Sequence, residues 1–499
     1  MSKGEKILSI NFESVLNFIR AKDESVEFRV KRQDDFYVNI SEVISDSRDV
    51  TPGTLFACIK GESSDGHEFA KMAKAKGACA LLCEREVDSE LPQIIVKRVR
   101  DFLGETAALV YDNPASKLLM VGVTGTNGKT TTTYITRSIL KAAGIRSGLL
   151  GTIIESDGII DKEADRTTPE SCVVQRQLAS MVKNGCGACV METSSHGLFL
   201  GRIKGARYDV PVFTNLYPEH LDFHIDMENY FAAKKLLFTN YTKENFIGAA
   251  NFDDPYGKRL LEEFGERLRG FGLGEGADSR AFNVRTSLSG TELEISTKGF
   301  EPLKLHSPLV GDFNVMNTLC AVTAMRGRVD DAAIVEGVAN VPQVPGRLER
   351  IDLPNGACCF IDFAHTPSAL KSVLKTIRAL SGDKGRIISV FGHGGGRYQQ
   401  NRPELGKSAS QFADEIIITS DNARDEDPAK IAEAIAAGAT VPYKIMTDRP
   451  EAVRYALSLL KPGDILAITG KGPEKFITIK GRHIPFNDAE AVNAWKAAL

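Results

Sequence analysis

Residues 118–133, LLMVGVTGTNGKTTTT, constrain the fold more than any other part of the sequence. An apolar run typical of a buried strand is followed at once by a glycine-rich turn, and a run of threonines then opens a helix. Gly125 and Gly128 permit backbone angles that are closed to other residues, so the chain can turn sharply at the end of the strand. Similar strand-to-helix alternation continues to the C-terminus, and it predicts α/β folding around mostly parallel sheets.

The same turn is suited to binding phosphate. Backbone N–H groups from Gly125 to Thr131 and the positive helix end can donate many hydrogen bonds within a small space. Lys129 adds a point charge for the outer phosphates, and Thr130 offers a hydroxyl to Mg²⁺. The strict Walker pattern is not met, because it would require glycine where Val123 stands. An incidental glycine turn is the alternative, but the preceding strand and following helix favour a nucleotide loop.

The chain has 499 residues, which allows two to four domains. Two turn-rich joints, YDNPASK at 111–117 and NVPQVPGRLER at 340–350, divide it into three predicted α/β domains. The predicted boundaries are 1–115, 116–342 and 343–499. Strands and helices alternate again in the last of these, as in a Rossmann-like domain.

Composition excludes several classes of function. The formal net charge of -3 provides no basic field to bind nucleic acid or an anionic membrane. No run of about 18 apolar residues predicts a membrane span, and Met1 to Asn11 lacks a secretory pattern. Nine scattered cysteines indicate reduced thiols in the cytoplasm, and Cys186 and Cys189 fit a buried strand better than a zinc site.

Three further side chains could serve phosphate chemistry. Glu192 ends an apolar strand, His220 follows another, and Lys234 lies on a predicted helix. Each has a structural alternative: a residue beside a helix cap, a core histidine and a solvated lysine. Together with the phosphate loop, at these spacings, they favour a functional site over three unrelated residues.

The segment GTNGKTT resembles the ATP loop of the Mur ligases and of folylpolyglutamate synthase. The resemblance to the Mur ligases extends from about residue 40 to 490. It implies that Glu192 and His220 bind a second Mg²⁺, and that Lys234 is carbamylated and orients a metal. Glu219 stands where the family usually has aspartate, so the position still has a carboxylate.

The resemblance also implies the remaining binding residues. The domain 1–115 would bind a UDP-linked precursor. Glu62, Ser63 and Ser64 are weaker candidates for contacts with it. The UDP-precursor set is Ser45, Ser47, Thr167, Thr168, Ser194 and Arg202. The ATP set is Gly125, Thr126, Asn127, Gly128, Lys129, Thr130, Thr131, Asn314, Asn317, Arg347, Asp362 and His365. For His365 a plain helix cap before Pro367 is the alternative.

The C-terminal domain is expected to bind the added amino acid. The sequence DNAR, Asp421 to Arg424, is similar to the D-N-P-R motif of family members that add meso-diaminopimelate. A second carboxylate on that substrate suits a bidentate arginine. Ala423, Gly396 and Pro473 depart from the family pattern, so lysine, ornithine or lanthionine remain alternatives. The predicted amino-acid set is Arg397, Asp421, Asn422, Ala423, Arg424, Gly470 and Glu474.

The resemblance implies a cytoplasmic, monomeric ATP- and Mg²⁺-dependent ligase of peptidoglycan synthesis. The γ-phosphoryl group of ATP would pass to the carboxylate of UDP-N-acetylmuramoyl-L-alanyl-D-glutamate, and the amine of a diamino acid would displace phosphate. Arg347 is expected to approach after domain closure. Folylpolyglutamate synthase is an alternative that leaves SDSR and DNAR unexplained. A P-loop nucleotide switch or kinase, from a different class, leaves the third domain unused.

Overall fold

The computed structural model describes residues 10–61, 64–381 and 385–498. The chain divides into two compact units. One unit contains the residues up to Arg280 together with Ile295–Pro302 and Asn317–Gly337. The other contains Ala281–Glu294, Leu303–Met316 and the residues from Val338 on. No described helix is both long and apolar enough to cross a membrane.

The N-terminal part is a small α/β layer. Its five-stranded sheet has the order β2-β7-β6-β5-β4, parallel except for β2 against β7, and a second sheet pairs β1 with β3. Helix α1 begins where the Asn11 side chain accepts the Ser14 N–H, and it buries Phe12, Val15 and Ile19. The elements are β1 (Ile10–Asn11), α1 (Phe12–Arg20), β2 (Glu27–Arg29), β3 (Asn39–Ile40), β4 (Glu42–Ile44), β5 (Thr54–Ala57), α2 (Ala70–Ala75), β6 (Ala78–Cys83), β7 (Gln93–Ile95) and α3 (Val99–Val110).

The central part is built on an eleven-stranded sheet of order β11-β10-β9-β12-β8-β13-β14-β15-β16-β17-β18. Strands β9, β12, β8, β13, β14 and β15 are parallel, so their carboxyl ends meet along one edge. The elements are β8 (Leu119–Thr124), α4 (Lys129–Ala142), β9 (Ser147–Leu150), β10 (Ile154–Ser156), β11 (Asp161–Glu163), α5 (Ser171–Lys183), β12 (Ala188–Glu192), α6 (Ser195–Phe199), β13 (Val210–Phe213), α7 (Leu221–His224), α8 (Met227–Thr239), β14 (Gly248–Asn251), α9 (Pro255–Phe264), β15 (Leu268–Gly272), β16 (Ser279–Ser287), β17 (Gly290–Thr297), β18 (Phe300–Ser307), α10 (Asp312–Met325) and α11 (Asp331–Ala339).

The last of these strands depart from the expected alternation. β16, β17 and β18 follow one another through short turns, where the sequence pattern predicted strands separated by helices. Their buried residues alternate with exposed ones, as in β17, whereas β8 and β12 are buried almost throughout. The two burial patterns differ because a strand covered on one face needs apolar side chains only at every second position.

The C-terminal part contains a six-stranded sheet of order β19-β20-β24-β21-β22-β23, parallel except for β19. β20, β21 and β24 are completely buried. The elements are β19 (Glu349–Asp352), β20 (Cys358–Asp362), α12 (Pro367–Ser381), β21 (Ile387–Phe391), α13 (Asn401–Ser410), β22 (Glu415–Ile418), α14 (Pro428–Ala436), β23 (Tyr443–Ile445), α15 (Arg449–Ser458), β24 (Ile465–Thr469), β25 (Phe476–Ile479), β26 (Arg482–Pro485) and α16 (Asp488–Ala497). The mixed α/β architecture predicted from the sequence is confirmed.

Candidate active site

The loop between β8 and α4 has the geometry of an anion-binding turn. Gly125 and Gly128 have φ of +145° and +85°, and Gly128 directly precedes the first residue of α4. A Cβ at Gly125 would lie 1.8 Å from Thr214 Oγ1, and one at Gly128 would lie 2.3 Å from Asn317 Oδ1. Glycine is therefore required here both by the backbone angles and by the close approach of neighbouring side chains.

Residues at the end of β13 hold this loop in place. Asn215 accepts a hydrogen bond from the Thr126 N–H through its backbone oxygen, at 2.9 Å, and one from the Asn127 N–H through its side chain, at 2.9 Å. Thr214 donates its hydroxyl to the Asn127 carbonyl at 2.6 Å. Thr214 and Asn215 were missed in the sequence reasoning. Their position after a strand that pairs with β8 was the available signal.

Lys129 and Lys234 converge on one carbonyl oxygen. The Nζ atoms of Lys129 and Lys234 lie 2.9 Å and 2.8 Å from the Gly125 oxygen. Lys234 is 1% exposed, and its Nζ also lies 4.5 Å from the centre of the Tyr230 ring. Burial, reinforced by the charge of Lys129, holds the pKa of Lys234 well below its usual value. Burial therefore favours the unprotonated form of the Lys234 amine.

Thr130 and Glu192 form an oxygen-rich group at the ends of β8 and β12. Thr130 donates to Glu192 Oε2 at 3.0 Å. Thr152, just past β9, donates its hydroxyl to the same oxygen at 2.9 Å and its N–H to Oε1 at 2.8 Å. Glu192 is 1% exposed, and these described partners are neutral. A buried carboxylate with neutral partners favours a cation, and an oxygen set of this kind fits Mg²⁺.

His220 lies in a separate aromatic group beside the loop. It has a left-handed φ of 57° at the start of α7, and its ring packs edge-on against His196, with centroids 4.9 Å apart. The side chain is 46% exposed. Tyr230 packs near His220 and reaches the Thr126 hydroxyl at 3.2 Å. His220 is thus linked to the phosphate loop through Tyr230, which was also missed in the sequence reasoning.

A second polar group lies around the start of α5. Thr168 donates its hydroxyl to the Glu192 carbonyl and accepts the Ser194 N–H, at 2.9 and 3.0 Å. Thr167 Oγ1 lies 3.1 Å from Thr152 Oγ1. The predicted Arg202 donates to Glu170 at 3.1 Å, and this carboxylate also receives Arg100 from α3 and lies 3.8 Å from Arg166. Three guanidinium groups around one carboxylate leave a net positive charge suited to an anion.

The predicted uridine-side residues lie just past β4. Ser47 is 7% exposed, and Ser45 Oγ lies 3.4 Å from Cys172 Sγ on α5. Ser45 and the Thr168 group are therefore connected through one helix, because α5 begins three residues after Thr168. Glu62 and Ser63 lie outside the described residues.

The ATP residues predicted nearer the C-terminus fall into two places. Asn317 faces the phosphate loop at Gly128, whereas the Asn314 amide donates to the Val310 carbonyl at 2.9 Å. Asp362 ends β20 and accepts the N–H groups of Leu348 and Ala364, at 2.7 and 2.8 Å. Burial raises the pKa of Asp362, while the neighbouring Arg347 charge and the two N–H groups act in the opposite direction.

Arg347 and His365 are both arranged around Phe363. The Arg347 guanidinium lies 5.2 Å from the Phe363 ring centre, and His365 Nδ1 lies 2.9 Å from the Phe363 carbonyl oxygen. Leu348 has a φ of 48°, so the residue after Arg347 is held in a strained backbone conformation. His365 is exposed, and the Thr366 hydroxyl accepts the Ala369 N–H at 3.4 Å as a weak helix cap.

The predicted amino-acid residues lie at the carboxyl ends of β21, β22 and β24, which are neighbours in the sheet. Arg424 has a φ of 52° and donates to the Gly395 carbonyl at 2.6 Å. A Cβ at Gly470 would lie 2.8 Å from Asp421 Oδ2, so the two loops touch. Ala423 is 1% exposed, and Arg397 lies exposed on the loop after β21.

Asn422 is bonded at both ends of its side-chain amide. Its Oδ1 accepts the Thr478 N–H at 2.8 Å and the Lys471 ammonium at 3.2 Å, and its Nδ2 donates to Glu474 Oε2 at 2.9 Å. Lys471 also pairs with Glu474 Oε2 at 2.7 Å and is completely buried. Lys471 was missed in the sequence reasoning, although a lysine between two glycines and three residues from Glu474 was a usable signal.

The sequence matches three family descriptions along its length. Residues 39–111 match "Mur ligase family, catalytic domain", residues 123–325 match "Mur ligase middle domain", and residues 346–472 match "Mur ligase, glutamate ligase domain".

Named relatives are similar in sequence to this chain over almost its whole length. UDP-N-acetylmuramoyl-L-alanyl-D-glutamate–2,6-diaminopimelate ligase from Aquifex aeolicus is 40% identical over 456 residues, which cover 91% of this chain and 93% of the relative. The enzyme of the same name numbered 1 in Clostridium acetobutylicum is 40% identical over 468 residues, covering 92% and 95%. A solved structure of a ligase with the same name is 28% identical, has a TM-score of 0.70, and covers 98% of this chain and 99% of its own. The chain belongs to the Mur ligase family, with its three-domain architecture and its ATP-dependent ligase chemistry.

Proposed function

We propose that this chain joins meso-2,6-diaminopimelate to UDP-N-acetylmuramoyl-L-alanyl-D-glutamate, at the expense of ATP, in peptidoglycan synthesis. The observation that carries the proposal is the group at the ends of β8 and β12. There a phosphate loop with a lysine, a threonine and a buried carboxylate lies beside the polar residues around α5. Similarity to relatives named for this reaction, over more than nine-tenths of the chain, supports the choice of substrates.

The first step is phosphoryl transfer to the substrate carboxylate. The backbone N–H groups of Gly128 to Thr131 and the Lys129 ammonium are assigned to the outer phosphates, whereas those of Thr126 and Asn127 are donated to Asn215 and hold the loop in shape. Thr130 would hold one Mg²⁺, and Glu192 and His220, with Lys234 if carbamylated, would hold a second; bound there, the ions would neutralise phosphate charge. We also assign Arg347 to the phosphates, and Asn314, Asn317, Asp362 and His365 to the nucleotide.

The second step is attack by the amine of the added amino acid on the acyl phosphate, with phosphate as the leaving group. Arg424 and Arg397 are assigned to the far carboxylate of that amino acid, and Asp421, Asn422, Ala423, Gly470 and Glu474 to the rest of its far end. Ser45, Ser47, Thr167, Thr168, Ser194 and Arg202 are assigned to the UDP precursor. The proposed domains are 1–115, 116–342 and 343–499, and a monomer in the cytoplasm, where ATP and UDP-linked precursors are available, would suffice.

Lys234 is proposed to be carbamylated. The unprotonated form of its amine, which burial favours, can attack CO₂ and release a proton to solvent, and the product is a carboxylate that would no longer share the Gly125 carbonyl with Lys129. Protein incubated with ¹³C-labelled bicarbonate should give a carbamate resonance by NMR. Lys234→Met should remove that resonance, and its persistence in this variant would assign the carbamate to another amine.

The decisive experiment measures phosphate release with ATP, Mg²⁺ and UDP-N-acetylmuramoyl-L-alanyl-D-glutamate. Diaminopimelate, L-lysine, ornithine and lanthionine are compared as the added amino acid, and the amide product is identified by mass. Release is expected only when the UDP-dipeptide and an amino acid are both present, with diaminopimelate the best. Phosphate release that depends on tetrahydrofolate, or that occurs without the UDP-dipeptide and the amino acid, would overturn the proposal.

A further inference from the structure

Glu474, the carboxylate proposed to meet the far ammonium of the added amino acid, already has a counter-ion in the protein. Lys471 Nζ lies 2.7 Å from Glu474 Oε2. The Lys471 side chain is completely buried, whereas the Glu474 side chain is 31% exposed. The Lys471 ammonium therefore lies in the protein interior, and the Glu474 carboxylate lies nearer the surface.

Asn422 closes this pair into a triangle. Its amide donates to Glu474 Oε2 and accepts from Lys471, so each of the three side chains contacts the other two. The Thr478 N–H, also donated to Asn422, fixes the triangle to β25. Glu474 Oε1 is left as the atom through which the carboxylate can meet a ligand. A ligand ammonium cannot replace Lys471, because Lys471 has no exposed surface.

The charges of these three side chains determine which kind of ligand group binds well beside Glu474. Lys471 offsets the charge of Glu474, so a plain ammonium placed against Glu474 is attracted less strongly than it would be by an unpaired carboxylate. An amino acid whose far end bears an ammonium and a carboxylate on the same carbon brings its own negative charge. The guanidinium of Arg424, on the same loop as Asn422, donates to the Gly395 carbonyl at 2.6 Å and is the group assigned to that carboxylate.

We propose that Lys471 is a positioning residue which, through Glu474, makes this pocket select an amino acid with a zwitterionic far end over one with a plain ammonium. The inference rests on the proposed function, since it takes residues 421–424 and 470–474 as the amino-acid site. It adds to the expectation drawn from the sequence, in which Arg424 and Arg397 meet the far carboxylate and Gly470 and Glu474 meet the far ammonium. Here the discrimination also comes from a buried cation that does not contact the ligand.

The test compares kcat/KM for meso-diaminopimelate with kcat/KM for L-lysine, at saturating ATP and UDP-dipeptide. Lys471→Met removes the charge and keeps the length of the side chain. The ratio should fall on the order of tenfold, because removal of one nearby charge favours the plain ammonium. The change should appear in the KM values of the amino acids, with the KM values of ATP and UDP-dipeptide unchanged. Lys471→Arg, which keeps the charge, should restore the preference.

Lys461→Met is the matched control. Lys461 is exposed and precedes β24, whereas Lys471 follows it, so this variant removes the same charge at the opposite end of one strand. Its ratio should equal that of the unaltered enzyme. An unchanged ratio in Lys471→Met, or an equal rise in both amino-acid KM values, would assign Lys471 a structural role only and overturn the inference.

Glu474→Gln provides a second test should Lys471→Met fail to fold. This change leaves Lys471 without its carboxylate partner, and the ratio should shift in the opposite direction, further against L-lysine. Equal losses for both amino acids in this variant would also overturn the inference. If the unaltered enzyme uses neither amino acid, or prefers L-lysine, the proposed function itself fails. A preference for diaminopimelate that survives both substitutions defeats only the role of Lys471.

Discussion

Buried titratable side chains beside the phosphate loop determine much of the chemistry available to this chain. Glu192 is a buried carboxylate with neutral described partners, and Lys234 is a buried amine beside a second lysine. Neither arrangement favours stability, because burial of an uncompensated charge costs free energy. Such residues are expected where a bound cation, phosphate or modified side chain completes the charge balance.

Lys129→Met should reduce kcat on the order of 10²- to 10³-fold, because one preorganised charge at the transferring phosphoryl group is lost. The measurement is ATP-dependent amide formation with saturating substrates. Lys141→Met, an exposed position in the last turn of the same helix, is the control and should retain full activity. Full activity in the Lys129 variant would remove this loop from the mechanism.

His224 predicts a pH dependence of stability. Burial, with His196 and Lys234 nearby, lowers the pKa of His224 from 6.5 to about 4. As pH falls below 6.5 the unfolded chain binds a proton that the folded chain does not, so stability is lost between pH 6.5 and about 4. At pH 5 the loss is about 2 kcal/mol.

His224→Phe should therefore show a smaller fall in Tm from pH 7 to pH 5 than the unaltered protein. Phenylalanine suits the site because Phe223 and Tyr230 already pack against this ring. His306→Phe, at an exposed histidine, should leave the fall unchanged. An identical fall in the His224 variant would mean that His224 does not titrate in this way.

At the scale of elements, close backbone approach overrides helix propensity. Gly104 lies in the middle of α3, where alanine is normally the better residue by about 1 kcal/mol. A Cβ at Gly104 would lie 2.1 Å from the Lys204 carbonyl oxygen, and one at Gly205 would lie 2.3 Å from the Gly104 oxygen. The helix and the turn at 204–205 therefore approach to a distance that only glycine allows.

Gly104→Ala should destabilise the protein by about 1–3 kcal/mol despite its better helix propensity, because backbone atoms must move to admit the methyl group. Thermal unfolding followed by circular dichroism measures the effect. A rise in Tm would show that propensity prevails and that the approach of α3 to residue 204 is looser than described.

Helix α16 is anchored by an ion pair with no exposed surface. Arg449 donates to both Asp488 carboxylate oxygens, at 2.8 and 2.7 Å, and to the carbonyls of Ser420 and Thr469. Burial acts to lower the pKa of Arg449, but Asp488 outweighs it and the pKa is raised. The two carbonyls immediately precede the loops 421–424 and 470–474, so this pair also fixes the start of each loop.

Asp488→Ala should cost about 3–5 kcal/mol, because it leaves the Arg449 charge buried and unpaired. The loss should appear in the unfolding transition of the unit that contains residues from Val338 on. A double variant, Arg449→Met with Asp488→Ala, should recover part of the lost stability. If the single and double variants are equally destabilised, the unpaired charge is not the cause.

At the scale of the whole molecule, the division into two units predicts more than one unfolding transition. Mg-ATP at a hundred times its Kd should stabilise the unit that contains the phosphate loop by about 2.7 kcal/mol. Calorimetry should then show one transition displaced upward by about 4 °C. Lys129→Met should reduce that displacement, and an equal displacement in the variant would place the nucleotide elsewhere.

The local sequence by itself determined the strand–turn–helix at residues 118–133, the α/β class, and the family whose motifs the chain carries. These features follow from short-range causes: apolar runs, glycine angles and residues close together along the chain. Only the tertiary structure decided which strand ends are neighbours, and hence that Thr152 meets Glu192, that Lys234 reaches the Gly125 carbonyl, and that Asn422 contacts both Lys471 and Glu474. Those contacts depend on strand order and burial, because they join residues that lie far apart in the chain.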